Sequence, residues 1–298
     1  MPPRRNEYRS GSTPWIPTAA GAAALLCLPA ALFGQSPQQP FPTIDLKRTA
    51  VGPVIDGIPD EPAWAEAAVI DDLRQVEPSE GEMPSEHTEV RIIYDADSIY
   101  FGIRCYDREP QSIIATQLRR DGRLESDDRV ELVIDPFFDR RNGFFFATNP
   151  LGARVDGLVV RNRQILEEWD GIWYAKATID EQGWSAEIAI PFKTISFDPR
   201  TSRWSFNIER TIRRINETSR WSAPLQNKAL RSIADAGILE GISGITQGVG
   251  LDVVPYTKLT FRDDEVRGDG AEADAGLDIF YKLSSSTTLA LTVNTDFA

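Results

Sequence analysis

Trp169 and Trp173 stand four residues apart in a segment that also carries Glu167, Glu168 and Asp170. Indole beside carboxylate suits saccharide recognition, because the apolar C–H face of a pyranose stacks on the ring while polar side chains read its hydroxyls. Trp169 and Trp173 are therefore candidate stacking residues, with Asp170 and Arg119 as candidate hydroxyl partners. The competing reading has one or both indoles covering an edge of the fold and Arg119 in an ordinary ion pair. Trp64, Trp184 and Trp204 lie in apolar or strand-like stretches and read as core.

A second chemistry is offered by the acidic run Glu125, Asp127, Asp128 and Glu131, whose oxygens suit a hard cation such as calcium, with Asp127, Asp128 and Glu131 as the candidate metal ligands. Asp56, Asp60 and Glu61 form another acidic cluster. Neither has the spacing of an EF-hand loop, and a solvated acidic turn explains both as well. Hydrolysis needs two carboxylates held across a cleft, and nothing singles out such a pair among 45 acidic residues. The single histidine, His87, has no nucleophile motif near it. Binding without cleavage is the expectation. Met83 and His87 are the residues that would have to serve a haem reading, and no CxxCH attachment motif accompanies them.

These residues need strands to position them. Val90–Tyr94 and Ile99–Tyr106 are β-branched and aromatic runs joined by an Asp-rich turn, which reads as a hairpin. Val130–Asp135, Gly143–Thr148, Ile172–Ile179, Trp184–Ile190 and Trp204–Arg210 repeat the pattern. Eight to ten strands across some 200 residues predict an all-β fold, an antiparallel β-sandwich, with local helix only near Glu61–Ala67 and Ala229–Ala234. Cys105 reads as a small buried residue within a strand.

The two ends follow other rules. Arg4, Arg5 and Arg9 precede an uncharged apolar run from Ala19 to Phe33, the layout of a secretory signal peptide over residues 1–34 cleaved near Gly34. Residues 35–42 are a Pro- and Gln-rich linker, the sandwich spans 43–246, and 247–298 alternate apolar and polar side chains with period two. Val249–Phe261, Leu277–Leu283 and Leu289–Phe297 read as three strands with one apolar side, the pattern of an incomplete outer-membrane β-barrel whose further strands are missing from the sequence. An exported protein is expected, with the sandwich in the periplasm and the tail in the cell outer membrane. Export leaves Cys105 as the one cysteine, so no intramolecular disulfide is expected. The formal charge of −13 argues against nucleic acid as a partner.

Several phrases, taken in order, carry a family resemblance. They are Val54-Ile-Asp-Gly-Ile-Pro-Asp-Glu-Pro-Ala-Trp64, Asp97-Ser-Ile-Tyr-Phe-Gly-Ile-Arg-Cys-Tyr-Asp107, Asp127-Asp-Arg-Val-Glu-Leu-Val-Ile-Asp-Pro136, Asn149-Pro-Leu-Gly152, Trp169-Asp-Gly-Ile-Trp173 and Gly183-Trp-Ser-Ala-Glu-Ile-Ala-Ile-Pro191. Together they resemble the carbohydrate-binding modules of family 9, a DOMON-like sandwich, in the version joined to a DUF5916-type outer-membrane barrel. The resemblance implies a sandwich of jelly-roll or immunoglobulin-like type that holds a saccharide between aromatic rings, often with bound calcium, as an accessory to polysaccharide breakdown or uptake. A transport or assembly protein whose sandwich is a scaffold or plug is the alternative.

Overall fold

The computed structural model describes residues 41–247, 250–262, 270–284 and 287–294. The chain divides after Gln39, and the described residues all lie in the second unit. The expected signal peptide, 1–34, and linker residues 35–40 fall outside the described residues.

The strands, in chain order, are β1 (Thr43–Asp45), β2 (Ala68–Ile70), β3 (Arg74–Glu77), β4 (Thr88–Tyr94), β5 (Ser98–Tyr106), β6 (Arg129–Asp135), β7 (Gly143–Thr148), β8 (Arg154–Val160) and β9 (Gln164–Leu166). They continue with β10 (Tyr174–Asp180), β11 (Gly183–Pro191), β12 (Trp204–Ile212), β13 (Glu217–Arg220), β14 (Gly237–Glu240), β15 (Gly250–Arg262), β16 (Gly270–Ser284) and β17 (Thr287–Val293). One sheet has five strands in the order β10-β11-β5-β4-β2. The other has nine, with the path β1-β14-β12-β6-β7-β8-β9 and with β13 and β3 branching from β12. Pairing is antiparallel except for β1 with β14.

The two sheets face each other across one core. Alternation along β5 points Ile99, Phe101, Ile103 and Cys105 inward, while β12 sends Trp204, Phe206 and Ile208 to meet them. The rings of Phe101 and Phe206 stack across the gap at 5.4 Å between centroids. The all-β sandwich expected from the sequence is thus observed. Cys105 is fully buried, and burial pushes its thiol pKa up to about 11.

Each sheet is also covered on its outer side. On the nine-stranded sheet the odd residues Val133, Phe145, Ala147 and Val159 turn outward and pack under Leu124, Leu230 and Ile233. On the five-stranded sheet Ile93, Tyr100 and Ala189 turn outward and lie beneath Trp64. Gly102 permits that cover, since a Cβ there would sit 2.9 Å from the Pro59 side chain and 3.2 Å from the Trp64 indole. The expected helices are shorter than the sequence suggests: single 3-10 turns at Pro62–Glu66 and Ile233–Asp235. Each leaves its turn on an extended residue, Ala67 and Ala236, which feeds directly into a strand.

Strands β15, β16 and β17 form a separate three-stranded antiparallel sheet, which pairs with neither sandwich sheet among the described residues. β16 begins at Gly270, well ahead of the Leu277–Leu283 run that the sequence marks as strand. The register aligns Val253 with Ile279 and Leu291, and Pro255 with Leu277 and Val293. Val253, Leu289, Leu291 and Val293 are all more than half exposed.

Glu187 ties the outer cover to β11. Its Oε2 accepts the amides of Asp56 and Gly57, both at 2.9 Å, and its Oε1 accepts the Trp64 indole N–H at 3.0 Å. Replacing Glu187 with Ala leaves the buried Gly57 amide without its acceptor, while the Asp56 amide keeps the Val54 carbonyl and the Trp64 indole keeps Glu61. It should lower the free energy of unfolding by about 1–3 kcal/mol, read as a shifted midpoint in urea denaturation.

Candidate functional site

The long connection from β5 to β6 crosses the end of the nine-stranded sheet, and one buried acid fixes its course. Asp127 accepts the amides of Thr116 and Gln117 at 3.0 Å each, the Thr116 hydroxyl at 2.8 Å and the Asn149 amide N–H at 2.7 Å. Burial acts to raise its pKa, but these donors outweigh burial and hold the carboxyl below its usual range. The neighbouring Asp128 behaves in the opposite way. It accepts the Arg213 amide at 2.7 Å, its Oδ2 has no protein partner, and burial pushes its pKa up.

Held in this way, the 121–125 segment roofs a cleft of about 390 Å³ on the outer face of the nine-stranded sheet. Its floor is apolar, built from Phe145, Ala147, Val155 and Ile165 on β7, β8 and the short strand β9. Its rim is charged. Asp121, Arg123 and Glu125 stand in the roof, Arg129 and Glu131 on β6, and Glu167 just beyond β9. Arg129 and Glu131 pair at 2.8 Å, and Glu131, largely buried, has its pKa raised by desolvation. The volume lies within the range of small-molecule sites, roughly 300–1,000 Å³, and a greasy floor under convergent polar groups is how such sites orient a ligand.

Of the residues named from the sequence, Glu125, Glu131 and Glu167 line this cleft, whereas Trp169, Trp173, Asp170 and Arg119 lie outside its lining. Trp173 is 0% exposed, points its indole N–H at Asp156 at 3.0 Å, and packs edge-on against Phe146. It offers no face to a ligand, and its expected stacking role is corrected to a core role. Trp169 is half-buried at the edge of the sandwich, with its ring 5.1 Å from Phe144 and 6.0 Å from Phe146. Asp170 is exposed and pairs with Arg120, which also reaches Asp156 at 2.7 Å and the Gly171 carbonyl at 2.9 Å. Arg119 is exposed. Arg120, 3.4 Å from Asp121, thereby joins the Trp169 loop to the cleft's roof.

The calcium expectation for Asp127, Asp128 and Glu131 is also corrected. The oxygens of Asp127 are taken by protein donors, Asp128 faces the Arg213 backbone, and Glu131 pairs with Arg129, so the three do not converge. Among the described residues the carboxylates that do meet are Asp56, Glu61 and Glu187, each with an oxygen within 4.8 Å of the others. Asp60 is not part of this group. Glu187 receives the three N–H donors described above, and Glu61 receives the Val54 amide at 3.0 Å and the Trp64 indole at 3.1 Å. An N–H aimed at an oxygen competes with a cation for lone pairs, so on Glu187 and Glu61 a cation would have to share the oxygens with these donors. Met83 and His87 form no haem pocket. Both are exposed, the methionine sulfur lies against Arg74, and the imidazole stacks on Tyr106 at 5.5 Å.

Comparison with solved structures places the fold. A candidate carbohydrate-binding protein from Bacteroides uniformis superposes with a TM-score of 0.53 at 14% identity, over 67% of this chain and 99% of that one. The two share a β-sandwich fold. Two family 9 carbohydrate-binding module structures from Caldicellulosiruptor kristjanssonii also align at 15% identity. The cellotriose complex gives a TM-score of 0.49 over 66% of this chain and 92% of that one, and the glucose complex 0.47 over 67% and 95%. No family model matches the sequence, and no curated protein matches it.

Two expectations follow from the geometry. Trp173→Ala should cost about 3–5 kcal/mol of stability by emptying a core site, measured by chemical denaturation. Carboxyl NMR should show Asp127 protonating at a lower pH than Asp128. The Asp127 contribution to stability is present above the ordinary carboxylate range and lost as pH falls through its lowered pKa. The Asp128 contribution is present below that range and lost as pH rises through its raised one. Asp127→Asn, which cannot accept all four donors, should therefore destabilise the fold at neutral pH by about 1–3 kcal/mol, and Asp128→Asn by less.

Proposed function

We propose that the sandwich binds saccharide in the cleft beneath residues 121–125 and does not cleave it. The observation that carries this reading is the cleft itself, an apolar floor ending in Phe145 and Ile165 under a rim of carboxylates and guanidinium groups. A pyranose has the matching chemistry, with C–H faces for the floor and hydroxyls for the rim. The fold shared with the Bacteroides protein is compatible with that role.

The proposal extends to location. Export by residues 1–34 would put the sandwich in the periplasm, and β15–β17 would begin a barrel in the outer membrane. The support is the sequence of the leader, together with the aligned and exposed apolar rows of the three strands, which suit lipid contact. In this setting the sandwich serves polysaccharide breakdown or uptake as a binding accessory.

A glycan array followed by calorimetric titration of the full chain tests the reading. A bound oligosaccharide should lose about tenfold in affinity, 1.4 kcal/mol, with Arg123→Ala, and much less with Trp169→Ala. A folded chain that binds no glycan would exclude the reading and leave the sandwich as a scaffold or plug for the barrel.

A further inference from the structure

The charges around the cleft are unequal in kind and in availability. Four carboxylates line it, from Asp121, Glu125, Glu131 and Glu167, against two guanidinium groups, from Arg123 and Arg129. The partners of most are fixed by geometry. Arg129 is held by Glu131 at 2.8 Å. On the next strand Glu209, which stands opposite Glu131 in the register, is taken by Arg220, with its Oε2 accepting the Arg220 Nε–H at 2.7 Å. Asp121 lies 3.4 Å from Arg120. Once these pairs are satisfied, the cleft presents to a ligand the exposed carboxylates of Glu125 in the roof and Glu167 in the wall, with Arg123 as the one remaining guanidinium of the lining.

We propose that the saccharide held here is cationic, an amino sugar carrying a protonated amine placed between Glu125 and Glu167. This rests on the cleft being the saccharide site. An ammonium group supplies three N–H donors and a positive charge, whereas an ionised carboxylate only accepts, so the two are complementary in both charge and hydrogen bonding. A neutral hexose offers hydroxyls alone at the same place. N-acetylation removes the charge and all but one donor. A uronate brings a further negative charge into a cleft already rich in them, on a chain whose formal charge is −13. The apolar floor is indifferent to these substitutions, since the C–H face it meets is common to all of them. Discrimination therefore falls to the rim.

The full chain titrated by calorimetry with four oligosaccharides of equal length tests this, at a pH where the sugar amine is protonated: a glucosamine tetramer, its N-acetylated form, a glucose tetramer and a galacturonate tetramer. The glucosamine tetramer should bind at least about tenfold more tightly than the glucose tetramer, with the N-acetylated form near the glucose tetramer and the galacturonate weakest. In a Glu125→Gln, Glu167→Gln double variant, shown to be folded by circular dichroism, the ratio of the glucosamine to the glucose affinity should fall to about one. Tighter binding of any uncharged or anionic oligosaccharide overturns the inference while leaving the cleft a saccharide site. A preference for glucosamine that survives the double variant overturns it too, because the attraction then comes from the chain's charge at large. Absence of binding by all four removes the inference together with the reading on which it rests.

Discussion

A carboxylate withdrawn from water must find hydrogen-bond donors, and in this protein the donors are very often the backbone amides of loops. Asp127 gathers the β5–β6 connection. Asp135 accepts the amides of Phe137, Asp139 and Arg140, holding the turn that leads into β7. Asp156 accepts the amide of Gly171 at 2.7 Å and the indole of Trp173, closing the loop that follows β9. Glu187 does the same for the segment around Gly57 on the opposite sheet. Asp135, Asp156 and Glu187 sit on strands and Asp127 two residues ahead of β6, so loop shape is set by where acids fall on or beside the strands. The cleft depends on this arrangement, because its roof continues the segment that Asp127 pins down.

The same anchors keep the expected calcium ligands apart. Asp127 gives both its oxygens to protein donors, Glu131 pairs with Arg129, and Asp128, whose Oδ2 accepts nothing, is held by the Arg213 amide. Burial still raises the pKa of Asp135, Asp156 and Glu187, because the desolvation penalty on each charge exceeds what its donors return. Asp127, with four donors, is the case in which hydrogen bonding prevails.

Much of the fold is legible in the sequence, because β-branched and aromatic runs end sharply at turn residues. β4, β5, β6, β7, β11 and β12 all lie where those runs and turns put them. The short strands β1, β2, β3, β9, β13 and β14 escape such a reading, since three or four residues carry too little pattern. The site is harder to see. Trp169 and Trp173 look alike in sequence, in a polar segment ahead of a strand, yet one is half-buried and the other is sealed in the core, bonded to Asp156 and packed on Phe146. Glu187 and Asp156 are not among the residues the sequence singles out, although each is an acid with apolar neighbours on its strand. Such a residue must be paired with something, and that is the signal the sequence carries. The cleft itself joins residues from the roof, β6, β7, β8 and β9, a juxtaposition that no local pattern contains.

The parallel pairing of β1 with β14 has a mechanical corollary. Thr43 lies beside Ile238 and Asp45 beside Glu240, so the chain enters the sandwich at one end of this pair and leaves it at the other. The Ile238 amide bonds to the Pro42 carbonyl and the Leu46 amide to the Glu240 carbonyl, both at 2.9 Å. A pull applied through the two ends of the sandwich therefore loads these bonds in shear, all together, instead of opening them one after another as a zipper. A domain tethered on both sides is held shut by its own terminal strands.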